Sequence, residues 1–340
     1  MNDLRKLHAF LETPRRVAIV THFRPDADAL GSSLALARFL ETSSHSVQTV
    51  APSEFPGFLG WMKGAGDVLI VDRHDPSTLA TAGQVFADAE VIFCLDFNSP
   101  KRIEALEQAL RNSRAVKVMI DHHLEPEDFA DYTLWDVTSA STAGLIYRFI
   151  TEQSGTSTID ADMAACLYAG LMTDTGGFRH NNTGAEEFRV AAALTDLGAK
   201  PHEVAAKVYD SNSLSRLQLT GYVLSSKLTV LPEFRTAYMV ISRSELERFR
   251  AKAGDTEGLV NYGLSIEGIR MAVLLHDRDG EVKFSFRSVG DFSVNALARK
   301  HFNGGGHRNA AGGSSSENLE VALAKFISIL PEYKNELVNN

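Results

Sequence analysis

The sequence predicts an α/β protein: an N-terminal domain with a mainly parallel sheet flanked by helices, then a smaller C-terminal α+β domain. Three observations predict it. Apolar segments of strand character at 16–21, 90–95 and 115–120 each run into an acidic or acidic–imidazole group. Helical patterns alternate with them, as βαβ units around a parallel sheet require. Beyond residue 230 that rhythm gives way to alternating strand patterns with a turn at Gly280. A chain of 340 residues also exceeds what one core usually holds. The expected division is 1–195 and 231–340, joined by a helical linker over 196–230.

The elements follow in order. Residues 3–12 predict a short amphipathic helix ended by Pro14. The strand at 16–21 leads through His22-Phe23-Arg24-Pro25-Asp26-Ala27-Asp28 into a helix at 32–41. A strand is expected at 47–51 and a loop over 52–66, rich in Pro, Gly and aromatics. The strand at 90–95 ends on Asp96, a charged helix covers 101–112, and the strand at 115–120 ends on Asp121-His122-His123. A helical run over 162–171 leads to Asp174-Thr175-Gly176-Gly177. The Ala-rich helical pattern of 184–209 breaks at Gly198 and Pro201, and 214–227 is one more helix. Strands at 236–241, 269–275 and 282–287 precede a helix at 294–300 and the run Gly304-Gly305-Gly306-His307. No solenoid-length repeat interrupts this order.

Composition narrows the class. Hydrophobic content of 44% and charged content of 23% are ordinary for a soluble globular chain. A net charge of −9 disfavours long duplex DNA but leaves room for a short nucleotide ligand bound by a local Arg cluster or by cations. Cys94 and Cys166 form neither a metal motif nor a disulfide framework, which fits a reducing, cytoplasmic setting. No signal peptide or membrane span is expected. The oligomeric state stays open, a homodimer included.

Parallel strands bring their carboxyl ends to one edge, so His22, Asp26, Asp28, Asp96, His122, His123 and Asp174 can converge there. Each has an ordinary alternative: Asp26, Asp28, Asp96 and Asp174 as caps or turn residues, the histidines as surface groups. Together they make the oxygen-rich, imidazole-containing set that a pair of divalent ions needs. Without cysteine, this mixture favours Mn²⁺, with Mg²⁺ or Co²⁺ as alternatives. Water held between two such ions becomes a nucleophile near neutral pH, which suits phosphate ester hydrolysis. The glycine run frees backbone N–H groups for a phosphate, and His307, Arg308 and Asn309 add donors. Arg287, near a strand end, suits bidentate phosphate contact.

His22-x-x-x-Asp26-x-Asp28, Asp96, Asp121-His122-His123 and Asp174-Thr175-Gly176 resemble the motifs of the DHH phosphoesterase superfamily. The Gly304–His307 run resembles its C-terminal DHHA1 domain. The motifs stand in the family's order from 22 to 313, and the length resembles the nanoRNase/pAp-phosphatase (NrnA-like) branch more than the longer RecJ exonucleases. The resemblance implies one Mn²⁺ held by His22, Asp26, Asp96 and Asp174 and another by Asp28, Asp96, His122 and Asp174. It implies that Asp121 orients its neighbours and that His123 faces the scissile phosphate. It implies that Arg287, Gly305, Gly306, His307, Arg308 and Asn309 of the C-terminal domain would grip a nucleotide phosphate across an interdomain cleft, with Arg102 a further contact. Phe23 stands where many relatives carry a smaller residue. The implied activity is Mn²⁺-dependent hydrolysis of very short oligoribonucleotides and of pAp. Cyclic or linear dinucleotide hydrolysis, RecJ-like single-strand degradation, polyphosphate or pyrophosphate hydrolysis, and a non-catalytic nucleotide sensor are the competing readings.

Overall fold

The computed structural model describes residues 4–338 apart from Arg73, Ala253 and Asp279, so the first residue of the expected 3–12 helix lies outside it. The chain divides into a unit ending at Ser211 and a unit beginning at Asn212.

In the first unit, β1 (Arg16–Val20), β2 (Ser46–Ala51), β3 (Leu69–Ile70), β4 (Val91–Leu95), β5 (Val116–Asp121) and β6 (Tyr132–Trp135) form one sheet in the order β3-β2-β1-β4-β5-β6. Every pairing in it is parallel. The helices are α1 (Leu4–Phe10), α2 (Ala27–Thr42), α3 (Pro76–Asp88), α4 (Glu107–Asn112), α5 (Thr142–Ser154), α6 (Ala161–Asp174), α7 (Ala185–Asp196) and α8 (Pro201–Tyr209). β4 reads as a continuous apolar run because all five residues are buried, as a strand covered on both faces requires. One core lies against α2, α5 and α6; another packs Phe86, Ile103, Leu106 and Leu110 on the opposite face of the sheet.

Two expectations need correction. The helix expected at 32–41 begins at Ala27, so Asp28 sits in its first turn with Asp26 as N-cap. The stretch 101–112 is not one helix. A 3₁₀ segment, Pro100–Leu106, breaks at Glu104 (φ 46°, ψ −113°) before α4 begins. The expected breaks at Gly198 and Pro201 do separate α7 from α8.

α2 and α6 pack closely because each carries a glycine at the contact. A Cβ on Gly31 would lie 2.4 Å from the carbonyl oxygen of Cys166. A Cβ on Gly170 would lie 2.6 Å from Asp28 Oδ1 and 2.9 Å from Ala143 Cβ. These crossings set the helix-borne acids against the sheet edge.

The second unit has its own sheet, in the order β11-β12-β10-β9-β8-β7. Its strands are β7 (Thr229–Leu231), β8 (Thr236–Ile241), β9 (Met271–Arg278), β10 (Glu281–Ser288), β11 (Gly305–His307) and β12 (Ala310–Ser315). Only β8 and β9 pair in parallel among the described strands. α9 (Leu214–Ser226), α10 (Arg243–Arg248), α11 (Leu259–Leu264), α12 (Val294–His301) and α13 (Leu319–Val338) complete it. No described helix is long and apolar enough to cross a membrane.

Candidate metal centre

The site is built where β1, β4 and β5 end. β1 delivers His22, β4 delivers Asp96 directly after Leu95, and β5 closes on Asp121 before His122 and His123. Asp96 holds φ 65°, a left-handed conformation uncommon for a side chain with Cβ. Such strain persists where the surroundings over-determine it, and functional sites are where it collects. α2 contributes Asp26 and Asp28 from its first turn, and α6 contributes Asp174 as its last residue.

These groups meet. His22 Nε2 lies 3.5 Å from Asp96 Oδ2 and 4.0 Å from Asp26 Oδ2. His122 Nε2 lies 3.3 Å from Asp174 Oδ2, 3.5 Å from Asp96 Oδ1 and 3.8 Å from Asp28 Oδ2. The two oxygens of Asp96 thus face different imidazoles. Ligand atoms of His22, Asp26 and Asp96 fall within 4.8 Å of one another, as do those of Asp28, Asp96 and His122. Charge-assisted hydrogen bonds run about 2.7–2.9 Å, shorter than all of these separations. Two ligands each about 2.1 Å from a shared cation stand about 3–4 Å apart, which these separations match. The donor set therefore fits hard divalent cations.

The imidazoles are aimed. His22 Nδ1 lies 2.9 Å from the carbonyl oxygen of Phe23, and His122 Nδ1 lies 3.1 Å from that of Ser139. A carbonyl can only accept, so each Nδ1 carries a proton, and in the neutral ring each Nε2 presents a lone pair inward. His123 Nδ1 donates to Asp121 Oδ1 at 2.7 Å. Asp121 is wholly buried beneath that ring.

Several supporting residues escape the sequence reading. The N-terminus of α5 points at Asp28: Thr142 N–H donates to Oδ2 at 2.7 Å and Ala143 N–H to Oδ1 at 2.8 Å. The Thr142 hydroxyl donates to Asp96 Oδ1 at 2.9 Å, so one residue ties two of the carboxylates. His180 Nδ1 and Asn182 Nδ2 both donate to the carbonyl of Asp174, at 3.3 and 3.2 Å. The N-cap pattern at Ser141, followed by Leu145, Ile146, Phe149 and Ile150, was the signal for α5. Nothing local marks Thr142 as a donor to Asp28 and Asp96.

Crowded carboxylates leave their mark on protonation. Burial and then Asp96 and Asp174 push Asp28 well above the usual carboxylate range. Burial pushes Asp174 up to about 6, although His122 opposes it. Burial would raise Asp96 too, but His122 and His22 hold it well below its ordinary value. Burial disfavours charge on His122, yet Asp174 and Asp96 outweigh it and the ring sits well above its usual value. His22 moves the same way, through Asp96 and Asp26. Positive charge is what this cluster lacks, and protons or cations can supply it.

The remaining expected residues lie elsewhere on the two units. Arg102 is exposed in the 3₁₀ segment after β4, its carbonyl accepting from Phe23 N–H, and its charge acts on His22. Arg287 lies on β10 and donates to its neighbour's carbonyl, that of Phe286, at 3.0 Å. The glycine run forms β11: Gly305, Gly306 and His307 pair with Gly312, Ala311 and Ala310. Gly306, at φ 143°, has no room for a Cβ, which would meet the carbonyl oxygen of Ala310 at 2.5 Å. Arg308 faces Asp291 at 3.5 Å. Asn309 ties its amide nitrogen to Ser288, Gly290 and Phe292, so that group acts within the fold.

Comparison with known proteins agrees with this architecture. Residues 16–171 match the DHH family, N-terminal domain, and residues 236–332 match the DHHA1 domain. The chain is 31% identical over 318 residues to the bifunctional oligoribonuclease and PAP phosphatase NrnA of Thermus thermophilus, covering 93% of this chain and 89% of that one. It is 29% identical over 322 residues to the protein of the same name from Bacillus subtilis, covering 92% and 94%. Among solved structures, an exopolyphosphatase-related protein from Bacteroides fragilis superposes with a TM-score of 0.91 at 39% identity, covering 98% of this chain and 97% of the other. With both domain matches in sequence order and relatives aligned along nearly its whole length, the chain belongs to the DHH–DHHA1 phosphoesterase superfamily and is a hydrolase of that kind.

Proposed function

We propose that the chain cleaves phosphodiester bonds in very short oligoribonucleotides and removes a phosphate from pAp, with two divalent cations as cofactors and Mn²⁺ as the first choice. The observation that carries this reading is the pair of inward-facing Nε2 atoms, on His22 and His122, set on opposite oxygens of Asp96. The names of the two NrnA relatives support the substrate class. His22, Asp26 and Asp96 would hold one cation, and Asp28, Asp96 and His122 the other, with Asp174 completing the set. When bound, such cations supply Lewis acidity toward the phosphoryl oxygens and the attacking water.

The protein's own groups do the rest. Phe23 and Ser139 carbonyls keep two imidazoles in the ligating tautomer. Asp121 fixes His123, and with a proton on each ring nitrogen its Nε2 donates to a phosphoryl oxygen as charge builds there. Asp26 and Asp174 are the more exposed carboxylates, at 47% and 20%, so substrate enters on their side. In the second unit, Arg287, Gly305, Gly306, His307 and Arg308 would hold a nucleotide phosphate.

The test is a product profile with Mn²⁺ on pApA, on pAp and on oligoribonucleotides of increasing length. AMP from the first two, falling off with length, is the expected result. No product from either small substrate rejects the proposal. The likeness to an exopolyphosphatase-related protein makes inorganic polyphosphate the necessary second arm. Faster turnover of polyphosphate than of pApA would assign that substrate instead.

A further inference from the structure

Trp135 closes β6, the edge strand of the first sheet, and stands opposite Asp121 in the parallel register with β5. Its indole N–H donates to the carbonyl oxygen of His123 at 2.7 Å. The residue is nevertheless 42% exposed. The polar atom of the ring is thus already satisfied within the protein, and the surface left to solvent is aromatic. A tryptophan so exposed leaves apolar area in water that a flat partner could cover. Val137, two residues on in the chain, is 43% exposed. The hydrogen bond also pins the ring, so a partner stacking on it loses little further rotamer freedom.

The pinning point matters. The carbonyl that holds Trp135 belongs to His123, and the His123 imidazole is held by Asp121, the register partner of Trp135. A rigid aromatic face is therefore coupled, through one residue, to the group that the proposed reaction sets against the scissile phosphate. We infer that Trp135 is a stacking platform for the nucleobase next to that phosphate. This rests on the proposed function only in placing the phosphate beside His123. Every nucleobase has a π-face, so such a platform is tolerant of sequence and gives purchase on a ligand of one or two nucleotides. Inorganic polyphosphate gains nothing from it. Trp135 would thus separate nucleotides from bare phosphate chains.

Binding experiments test this directly, with Mg²⁺ present. The chain has two tryptophans, so Trp61→Phe leaves Trp135 as the sole indole emitter. Saturable quenching of its emission by AMP, and none by ribose 5-phosphate, is expected. By calorimetry, Trp135→Leu should weaken AMP binding about 5- to 150-fold, the range of base–aromatic stacking, and leave ribose 5-phosphate within about twofold. Trp135→Phe keeps a ring without the N–H and should retain most of the AMP affinity. Equal loss for AMP and ribose 5-phosphate would make Trp135 a prop for His123 and overturn the inference. So would unchanged AMP affinity in Trp135→Leu, or failure of AMP to bind the unaltered chain. AMP-dependent quenching in a protein that cleaves no dinucleotide would instead retire the proposed reaction and keep the platform.

Discussion

Thr142 offers the sharpest test of how the centre is held. Thr142→Val keeps the shape of the side chain and the backbone N–H to Asp28, and deletes the hydroxyl that donates to Asp96 Oδ1 at 2.9 Å. Thr142 is fully buried and Asp96 is 2% exposed, so water cannot take the hydroxyl's place. A hydrogen bond to a charged acceptor contributes about 1.5–3 kcal/mol. His122 Nε2 at 3.5 Å and His123 Nδ1 at 3.7 Å still face the same oxygen, which puts the loss at the lower end. About 1.5 kcal/mol corresponds to a fall of roughly 3–6 °C for a unit of this size. Thermal unfolding of the first unit in EDTA should show that fall. With saturating Mn²⁺ the gap should narrow, because a cation on Asp96 replaces the missing donor. Thr142→Ser restores the hydroxyl and should recover most of the loss. A Val variant as stable as the natural chain in EDTA, or a Ser variant as unstable as Val, would refute the reasoning.

Three further outcomes follow from the geometry. Gly170→Ala should destabilise the first unit by about 1–3 kcal/mol and lower activity, since the new methyl would meet Asp28 Oδ1 at 2.6 Å; undiminished activity would show that Asp28 is not placed by this helix crossing. Asp174→Asn should lose Mn²⁺ and activity together, whereas His123→Ala should keep Mn²⁺ by calorimetry and lose kcat about 100- to 1000-fold. Equal metal loss in both would mean that His123 is a ligand. In the second unit, burial would raise Glu245, but Lys227, Tyr222 and Ser242 hold its carboxyl down at about 2, against an ordinary 4.5. A depressed acid contributes stability that is complete above pH 4.5 and is lost as pH falls through about 2. The stability gap between the natural chain and Glu245→Gln, at most about 3 kcal/mol at neutral pH, should therefore close over that acidic window. A gap that ignores pH would assign Glu245 a packing role only.

What the sequence made legible was the part of the site that strands deliver. β4 is buried along its whole length and β5 along its last four residues, so their apolar runs end where the sheet ends, on Asp96 and beside His122. The parallel sheet then brings those ends to one edge. The opening loop was harder, because capping and ligation looked like rival explanations for Asp26. The fold has room for both: Oδ1 caps α2 through Asp28 and Ala29 N–H, while Oδ2 faces His22. A carboxylate has two oxygens, and the choice between a structural and a functional aspartate was never forced. The start of α2 was misplaced for the same reason, since Asp-Ala-Asp-Ala-Leu-Gly has the composition of a turn.

What remained hidden is delivered by helices. The position of α5 on the sheet is set by packing, and no periodicity reveals that its first N–H groups will meet Asp28. Gly170 did carry a signal, an isolated glycine within a helical pattern, at a propensity cost of about 1 kcal/mol that packing has to offset, whereas Gly31 read as the end of a turn. Each removes a Cβ where α2 and α6 cross, and that crossing seats Asp28 against α5. The order of cause runs from glycine to helix approach, from helix approach to a carboxylate held by two N–H groups, and from there to a site whose acids cannot swing apart. An acid fixed in this way cannot relieve its repulsion by moving. It must bind a proton or a cation, and the cluster around Asp96 is built so that a cation serves several acids at once.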